Sequence, residues 1–100
     1  MVRDKILDKN NKEINVDILL HPGEVLGNEL EFRKLTKGAF AIKCGMYPSQ
    51  LSDILKGKRN ITAYIALKLE AELEVSAEFW LGLQMDYDLQ VERNKLKQTA

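Results

Sequence analysis

Two glycines, Gly45 and Gly57, bound a short helical segment within the stretch CGMYPSQLSDILKGKR, residues 44–59. Glycine readily adopts the left-handed backbone conformation at which many helices end. Pro48 suits the first position of a helix, so the stretch predicts a helix of about two turns between the glycines. Its apolar side chains share one side, namely Leu51, Ile54 and Leu55. Such a segment cannot be a long helix or a strand, and it must pack through this single apolar side.

Signals for four further helices flank this segment. The residues with the chemistry of a helix start are Pro22, Thr36, Thr62 and Ser76. Apolar residues recur three to four positions apart after each start, as in Ile65, Leu69 and Leu73. In the first helix Val25, Leu26 and Leu30 follow this spacing, with Phe32 as a further candidate, and in the second Phe40, Ala41 and Cys44 face inwards. The pattern predicts an all-α fold of five helices with short connections.

Residues 1–20 have a different pattern. Ile14, Val16 and Ile18 alternate with polar residues after the turn-forming run KNNKE. This alternation predicts a short β-strand, as one half of a hairpin with residues 3–8, or an extended arm. We therefore divide the chain into an N-terminal arm, residues 1–20, and a helical domain, residues 21–97.

Length and composition exclude several classes of protein. One hundred residues make one domain of modest core. No apolar run approaches the length of a membrane span, and the charged N-terminus is unlike a signal peptide. Cys44 is the single cysteine, so no internal disulfide can form, which is typical of a protein of the reducing cytoplasm.

Charge is balanced overall but is divided between two blocks. Residues 33–59 carry seven Lys or Arg and one Asp, a net charge of +6. Residues 60–92 carry one Lys and seven Asp or Glu, a net charge of −6. Two such blocks predict two surfaces for two different partners, although clustered charge is also common on ordinary solvated surfaces.

The tight turn between the second and third helices is the helix-turn-helix pattern, whose second helix enters the major groove of DNA. The outward residues of the third helix and its start are Tyr47, Ser49, Gln50 and Asp53. Gln can make two hydrogen bonds to adenine, and Ser can contact bases or phosphates. The cations expected to hold phosphates are Lys37, Lys43, Lys56, Lys58 and Arg59. The alternative is a helical hairpin that binds nothing.

Residues that could suggest an enzyme have simpler interpretations. His21 is the only histidine, and its position before Pro22 predicts a helix cap or packing residue. Cys44 lies on the apolar side of the second helix, where it acts as a small hydrophobic residue. The sequence has no cluster of Cys and His residues that would predict a zinc site. It also has no glycine-rich loop that would predict a phosphate-containing cofactor. We expect no metal, no cofactor and no catalysis.

Three motifs resemble those of the HigA-type antidote proteins of toxin–antitoxin modules, which belong to the phage-repressor-like (XRE) helix-turn-helix class. They are HPGE at the first helix, LKGKRNIT at residues 55–62, and EFWLGLQMDYDL near the end of the domain. The resemblance spans His21 to about Leu89. It implies a lambda-repressor-like DNA-binding domain, a homodimer and a palindromic operator in the protein's own promoter. It also implies that the protein neutralises a small, basic, RelE-like ribonuclease toxin.

The resemblance also implies roles for particular residues. Thr36 and Lys37 match the phosphate-contacting start of the second helix. Positions Pro48, Ser49 and Gln50 match base-reading positions, and Lys58 and Arg59 match the basic turn. Two departures stand out: Tyr47 occupies the usual Ser or Thr cap, and Pro48 the place of a long polar residue. They imply weaker or altered DNA binding.

Two surfaces outside the helix-turn-helix are predicted to meet protein partners. Four apolar residues of the last helix predict core or dimer contacts: Phe79, Trp80, Leu83 and Tyr87. The toxin is expected to meet the alternating arm residues Ile14, Val16 and Ile18, by strand addition, or the acidic residues Glu70 and Glu74. The alternatives are a phage-type repressor without a toxin, and an interaction domain that has lost DNA binding.

Overall fold

The computed structural model describes residues 20–99 of the chain. These residues form five α-helices: α1 Pro22–Phe32, α2 Lys37–Cys44, α3 Pro48–Leu55, α4 Ala63–Leu73 and α5 Ala77–Thr99. No strand is present in this range, so the all-α prediction is confirmed for it. Apart from Leu20, the predicted N-terminal arm lies outside the described residues.

Local side-chain chemistry begins three of the helices as the sequence predicts. The hydroxyl of Thr36 accepts a hydrogen bond from the Ala39 N–H at 3.3 Å, at the start of α2. Thr62 caps α4 in the same way, with 3.3 Å to the Ile65 N–H. The Ser76 hydroxyl accepts from the N–H of Phe79 at 3.1 Å. Each cap satisfies a backbone donor that has no partner within the helix.

The helices surround one apolar core. Helix α1 packs on α3 and α5, α2 packs on α3 and α4, and α4 packs on α5. Each helix contributes fully buried side chains, among them Leu26, Phe40, Leu51, Leu69 and Trp80. The contact between α1 and α3 is closest at Gly23, where an added methyl group would overlap the carbonyl oxygen of Ile54. Glycine is therefore required at this crossing for steric reasons.

Helix α5 is much longer than the core that it covers. It has 23 residues, a length of about 34 Å at the usual rise. Gln84 is the last buried residue along the described side chains of α5. The described side chains in the second half of α5 are therefore exposed or only partly buried, and the described part of the molecule measures 45 × 28 × 20 Å overall. No helix in the described range is long and apolar enough to cross a membrane.

The prediction of Phe32 as a core residue is wrong. Its side chain is 83% exposed, whereas Leu26 and Leu30 are buried. Phe32 follows Leu30 by two positions, about 200° around the helix, and so faces solvent. Helix α1 ends directly after it, and Lys34 adopts a left-handed backbone with φ 60°.

Candidate nucleic-acid interface

The turn between α2 and α3 is held by the end of α2. Gly45 closes α2 in the left-handed conformation, with φ 71°. The N–H of Gly45 donates to the carbonyl of Ile42 at 3.0 Å, and the Met46 N–H donates to the carbonyl of Ala41 at 3.0 Å. Met46 packs against the core. The direction in which the chain enters α3 is therefore set by backbone hydrogen bonds and one apolar contact.

Helix α3 has a buried face and an exposed face. Leu51 and Ile54 are fully buried and hold the helix on α1 and α2. The predicted outward residues lie at the surface: Tyr47, Pro48 and Ser49 are exposed, and Gln50 and Asp53 are partly exposed. The exposed end is therefore free to approach another molecule, with Tyr47 projecting furthest at 79% exposure.

The start of α3 has no side-chain cap. Tyr47 occupies the cap position with an extended backbone, but its side chain makes no capping hydrogen bond. A phenol on a ring cannot reach the first turn as a short hydroxyl does. Pro48 follows at the first helical position, where its missing N–H leaves one fewer donor to satisfy. The cap that Ser or Thr usually supplies at this position is therefore absent.

The end of α3 leads into a basic turn, which we define as residues 56–62. Gly57 has φ 77°, and the N–H of Lys58 donates to the Asp53 carbonyl at 2.8 Å. Lys56, Lys58 and Arg59 are all exposed. The Arg59 guanidinium lies 3.9 Å from the Asp53 carboxylate, an exposed pair that contributes little to stability. The turn thus presents three exposed cations at the C-terminal end of α3, whereas Tyr47, Pro48 and Ser49 are exposed at its start. The predicted phosphate-contacting residues at the start of α2, Thr36 and Lys37, are exposed as well.

His21 is a helix cap rather than a free ligand. Its Nδ1 accepts a hydrogen bond from the Gly23 N–H at 2.8 Å, and its ring meets that of Tyr87 edge-on, 4.8 Å between centroids. Burial lowers the pKa of His21. The negative charges of Asp88 and Glu24 raise it, but by less than burial lowers it. Because Nδ1 is an acceptor, the neutral ring carries its proton on Nε2. The predicted cap is confirmed.

Cys44 is unsuited to nucleophilic chemistry. It is 1% exposed, and burial, with the nearby Glu72 carboxylate, raises its pKa to about 11. The thiol therefore stays protonated near neutral pH, and a thiol is a poor nucleophile. In the described range no group of three or more His, Cys, Asp and Glu side chains is arranged to hold a metal ion.

The acidic block is partly occupied by internal contacts. The Glu70 carboxylate accepts a hydrogen bond from the Ala77 N–H at 2.7 Å, so it caps α5 from the preceding helix. Lys43 lies 4.0 Å from Glu72, where the basic and acidic blocks meet between α2 and α4. Lys43 therefore has an acidic neighbour, as Arg59 has in Asp53. Glu74 ends α4 with φ 61° and is exposed.

The four predicted core or dimer residues of α5 differ in exposure. Trp80 is buried, Leu83 and Tyr87 are half-buried, and Phe79 is 46% exposed. Trp80 is thus a core residue, while Phe79 retains a surface that another molecule could cover. Beyond them, Met85 and Leu89 are also large, apolar and exposed.

Gln84 is a residue at this site that the sequence pattern did not identify. It is buried in α5, and its side-chain carbonyl accepts a hydrogen bond from the Ile61 N–H, in the basic turn, at 2.7 Å. A signal was present, because Gln84 follows Trp80 by four positions and so lies on the same helix face. A polar residue at a core position indicates a buried hydrogen bond.

Known proteins resemble this chain in both sequence and fold. A helix-turn-helix family model matches residues 31–80. The antitoxin HigA-1 of Vibrio cholerae is 37% identical over 79 residues, which cover 78% of this chain and 74% of that protein. The addiction module antidote protein of a HigA family from Coxiella burnetii has a TM-score of 0.77 and 35% identity, over 81% of this chain and 89% of that one.

A third relative was solved with DNA. The antitoxin HigA of Pseudomonas aeruginosa, with the higBA promoter, has a TM-score of 0.77 and 29% identity, over 82% of this chain and 90% of that one. This chain belongs to the HigA-type antitoxins of the XRE helix-turn-helix family. It is accordingly a DNA-binding regulator and not an enzyme. Family membership favours this role over an interaction domain that has lost DNA binding.

Proposed function

We propose that the chain represses its own promoter as a homodimer bound to a palindromic operator, and that it neutralises a small basic RelE-like ribonuclease in the cytoplasm. The observation that carries the DNA role is that α3 exposes its first turn and leads, at its other end, into the basic turn with three exposed cations. The Pseudomonas aeruginosa relative, of the same fold, was solved with its promoter. The proposal rests on that fold and on the chemistry of these residues.

In the proposed complex, α3 enters the major groove with its first turn against the bases. Gln50 and Ser49 supply the hydrogen bonds that read base edges, while Tyr47 and Pro48 add apolar contact. The residues that hold phosphates are Thr36, Lys37, Lys56, Lys58 and Arg59. Asp53 lies 3.9 Å from Arg59, so its carboxylate faces that guanidinium rather than a phosphate, which would repel it.

The proposed dimer forms through α5. A palindromic operator requires a two-fold protein, with half-sites roughly 34 Å apart. No described side chain of α5 beyond Gln84 is buried. Met85 and Leu89, four positions apart and therefore on one side of the helix, are exposed, as is Phe79. A second copy would cover them, together with the outer sides of Leu83 and Tyr87. On this proposal the domain of residues 21–97 ends in a dimerisation helix.

The proposed toxin contact uses the N-terminal arm. Ile14, Val16 and Ile18 alternate with polar residues and suit addition to a sheet edge of the toxin. The acidic surface at Glu70 and Glu74 is the second candidate. Of these, Glu74 is the better available, because a Glu70 oxygen already accepts from the N–H of Ala77.

Two variants separate base reading from phosphate binding. Lys58→Ala with Arg59→Ala should weaken binding to every duplex and reduce the slope of log affinity against log salt by about 1 per lost contact. Gln50→Ala should keep the slope and lose about 1–3 kcal/mol of discrimination at one base position. Fluorescence anisotropy with the promoter duplex and scrambled duplexes measures both. Wild-type protein that binds both duplexes equally would contradict an operator-specific role.

Analytical ultracentrifugation tests the dimer, with Leu89→Glu as the interface variant. Wild type should sediment as a dimer at micromolar concentration and Leu89→Glu as a folded monomer. Lys95→Glu, an exposed charge change on the same helix, is the matched control and should leave the dimer intact. A wild-type monomer would contradict the proposal.

Deletion of residues 1–18 tests the arm. The truncated protein should still dimerise and bind DNA, but should no longer copurify with the toxin encoded beside it. If toxin binding survives the deletion, the arm is not the inhibitory element, and Glu74→Lys becomes the informative variant.

A further inference from the structure

Gln84 and His21 are the two buried polar side chains among residues 20–98. A buried amide destabilises the fold unless its donors and its acceptor find partners. The carbonyl of Gln84 accepts from the Ile61 N–H at 2.7 Å, and its amide nitrogen donates to Asp88 Oδ1 at 3.0 Å. These two partners fix the orientation of the amide, because the Ile61 N–H must face its oxygen and the Asp88 carboxylate must face its nitrogen.

The hydrogen bond to Ile61 joins α5 to the basic turn across 23 positions of sequence. Ile61 is itself 2% exposed, so its N–H has no access to water as an alternative partner. At the other side of the turn, the ring of His21 lies near Gly57, since a Cβ added at Gly57 would be 3.6 Å from Cγ of His21. Gln84 and His21 both lie outside α3.

In the sequence, the exposed cations Lys58 and Arg59 lie between Gly57, which is near His21, and Ile61, which is bonded to Gln84. Their own contacts within the domain are weak, as the distance of 3.9 Å between Arg59 and Asp53 shows. The backbone from Gly57 to Ile61 therefore determines where the two charges can point. An arginine or lysine whose backbone is already ordered loses less entropy when it binds a phosphate.

We propose that Gln84 is a positioning residue for the DNA interface: through the N–H of Ile61 it holds the basic turn in the arrangement that binds phosphates. The inference rests on the proposed DNA-binding role of the turn. On this proposal α5, the proposed dimerisation helix, also sets the position of the phosphate-binding cations. Asp88 completes the arrangement by holding the Gln84 amide from the next turn of α5.

Three variants test this role in the full-length protein. Gln84→Met keeps size and helix propensity but removes both hydrogen bonds. Gln84→Glu combined with Asp88→Asn reverses the polarity of the second bond and preserves the acceptor for the Ile61 N–H. Ser76→Ala is the stability control, because it removes one capping hydrogen bond at the start of α5 and leaves the turn unaltered.

Binding to the promoter duplex is measured by anisotropy at several salt concentrations, at a temperature where every variant is folded. Gln84→Met should bind roughly tenfold more weakly, the effect of about one hydrogen bond, with a salt slope reduced by about 1. The exchange of the Ile61 amide, followed by NMR, should accelerate in the same variant. The double variant should recover both, and Ser76→Ala should bind like wild type.

Equal binding by Gln84→Met and wild type would overturn the positioning role. So would a loss of affinity in Ser76→Ala that matches the loss in Gln84→Met, since stability alone would then explain both. Failure of the double variant to recover affinity while the Ile61 amide is protected would overturn it too. Wild-type protein without affinity for the duplex would instead refute the proposed function, and the positioning role with it.

Discussion

The two ends of α3 are held in different ways. At its start, Tyr47 provides no capping hydrogen bond, and Tyr47, Pro48 and Ser49 are exposed. After its end, Gly57 lies near the ring of His21, and Ile61 is hydrogen-bonded to Gln84 of α5. The start is held by the backbone of the preceding turn and by Met46, whereas the turn after the end is hydrogen-bonded to another helix.

This difference matches the two tasks of a DNA-binding surface. Phosphate contacts set the register of the protein and benefit from a rigid backbone, whereas base contacts must adjust to the edges of the bases. A loosely held start and a firmly held end therefore suit the division of roles proposed for α3. The variants below test that contrast and are ordered by the size of the change that we expect.

Gly23→Ala should have the largest effect, because it disrupts the packing behind the firmly held end. The new methyl group would overlap the carbonyl oxygen of Ile54 and push α1 away from α3. We expect a loss of about 3 kcal/mol or more in the free energy of unfolding, measured by urea denaturation. Gly38→Ala is the control, since its methyl group meets nothing within 4 Å, and it should stabilise the protein slightly. Similar stabilities for the two variants would contradict this packing.

Tyr47→Ser should strengthen the loosely held start. A serine hydroxyl at this position can accept from an N–H of the first turn of α3, which no side chain does in the native protein. We expect Tyr47→Ser to be about 1 kcal/mol more stable than Tyr47→Ala, which lacks the hydroxyl. Equal thermal denaturation temperatures for these two variants would show that the start of α3 does not need a cap.

His21 should make the stability of the firmly held end depend on pH. Its pKa is lowered below its ordinary value of 6.5 in the folded protein, chiefly by burial. As the pH falls, His21 therefore takes up a proton in the unfolded chain before it does so in the folded protein. This favours unfolding, so the stability that the neutral ring contributes is lost as the pH falls below 6.5. His21→Asn can still cap α1 but cannot titrate. Urea unfolding between about pH 7.5 and 5.5 should show a smaller loss for His21→Asn; parallel curves would contradict this origin.

Asp53→Asn should have the smallest effect. The pair with Arg59 is exposed and loose, at 3.9 Å, so its loss should change stability by less than about 1 kcal/mol. Removal of a negative charge beside the proposed interface should tighten binding to any DNA, most at low salt. Anisotropy with a scrambled duplex measures this, and weaker binding would indicate that Asp53 is needed to orient Arg59.

Features with local causes were predictable from the sequence. Thr36, Thr62 and Ser76 cap the helices that they precede because the hydroxyl and the N–H are three residues apart. Gly45 and Gly57 take the left-handed conformation that ends a helix. The missing cap at Tyr47 followed from the reach of its side chain. Together with Pro22 at the first position of α1, these features indicated where all five helices lie.

Features that depend on tertiary contacts were not predictable. Glu70 caps α5 from seven positions upstream, and Gln84 meets Ile61 from 23 positions away. Neither distance has a sequence signature, because the fold brings the partners together. Phe32 is a different case: it faces solvent because it follows Leu30 by two positions, which places it on the other side of α1. The exposed side of α3 was predictable, whereas the hydrogen bond that joins the basic turn to α5 was not.

Amide hydrogen exchange in free and operator-bound protein tests the contrast between the two ends of α3 most directly. In the free protein the amides of Ser49 and Gln50 should exchange faster than those of Lys58 and Ile61. Binding of the promoter duplex should slow Ser49 and Gln50 most and leave Ile61 nearly unchanged. Rapid exchange of Ile61 in the free protein, or no protection of Ser49 and Gln50 by DNA, would contradict the account.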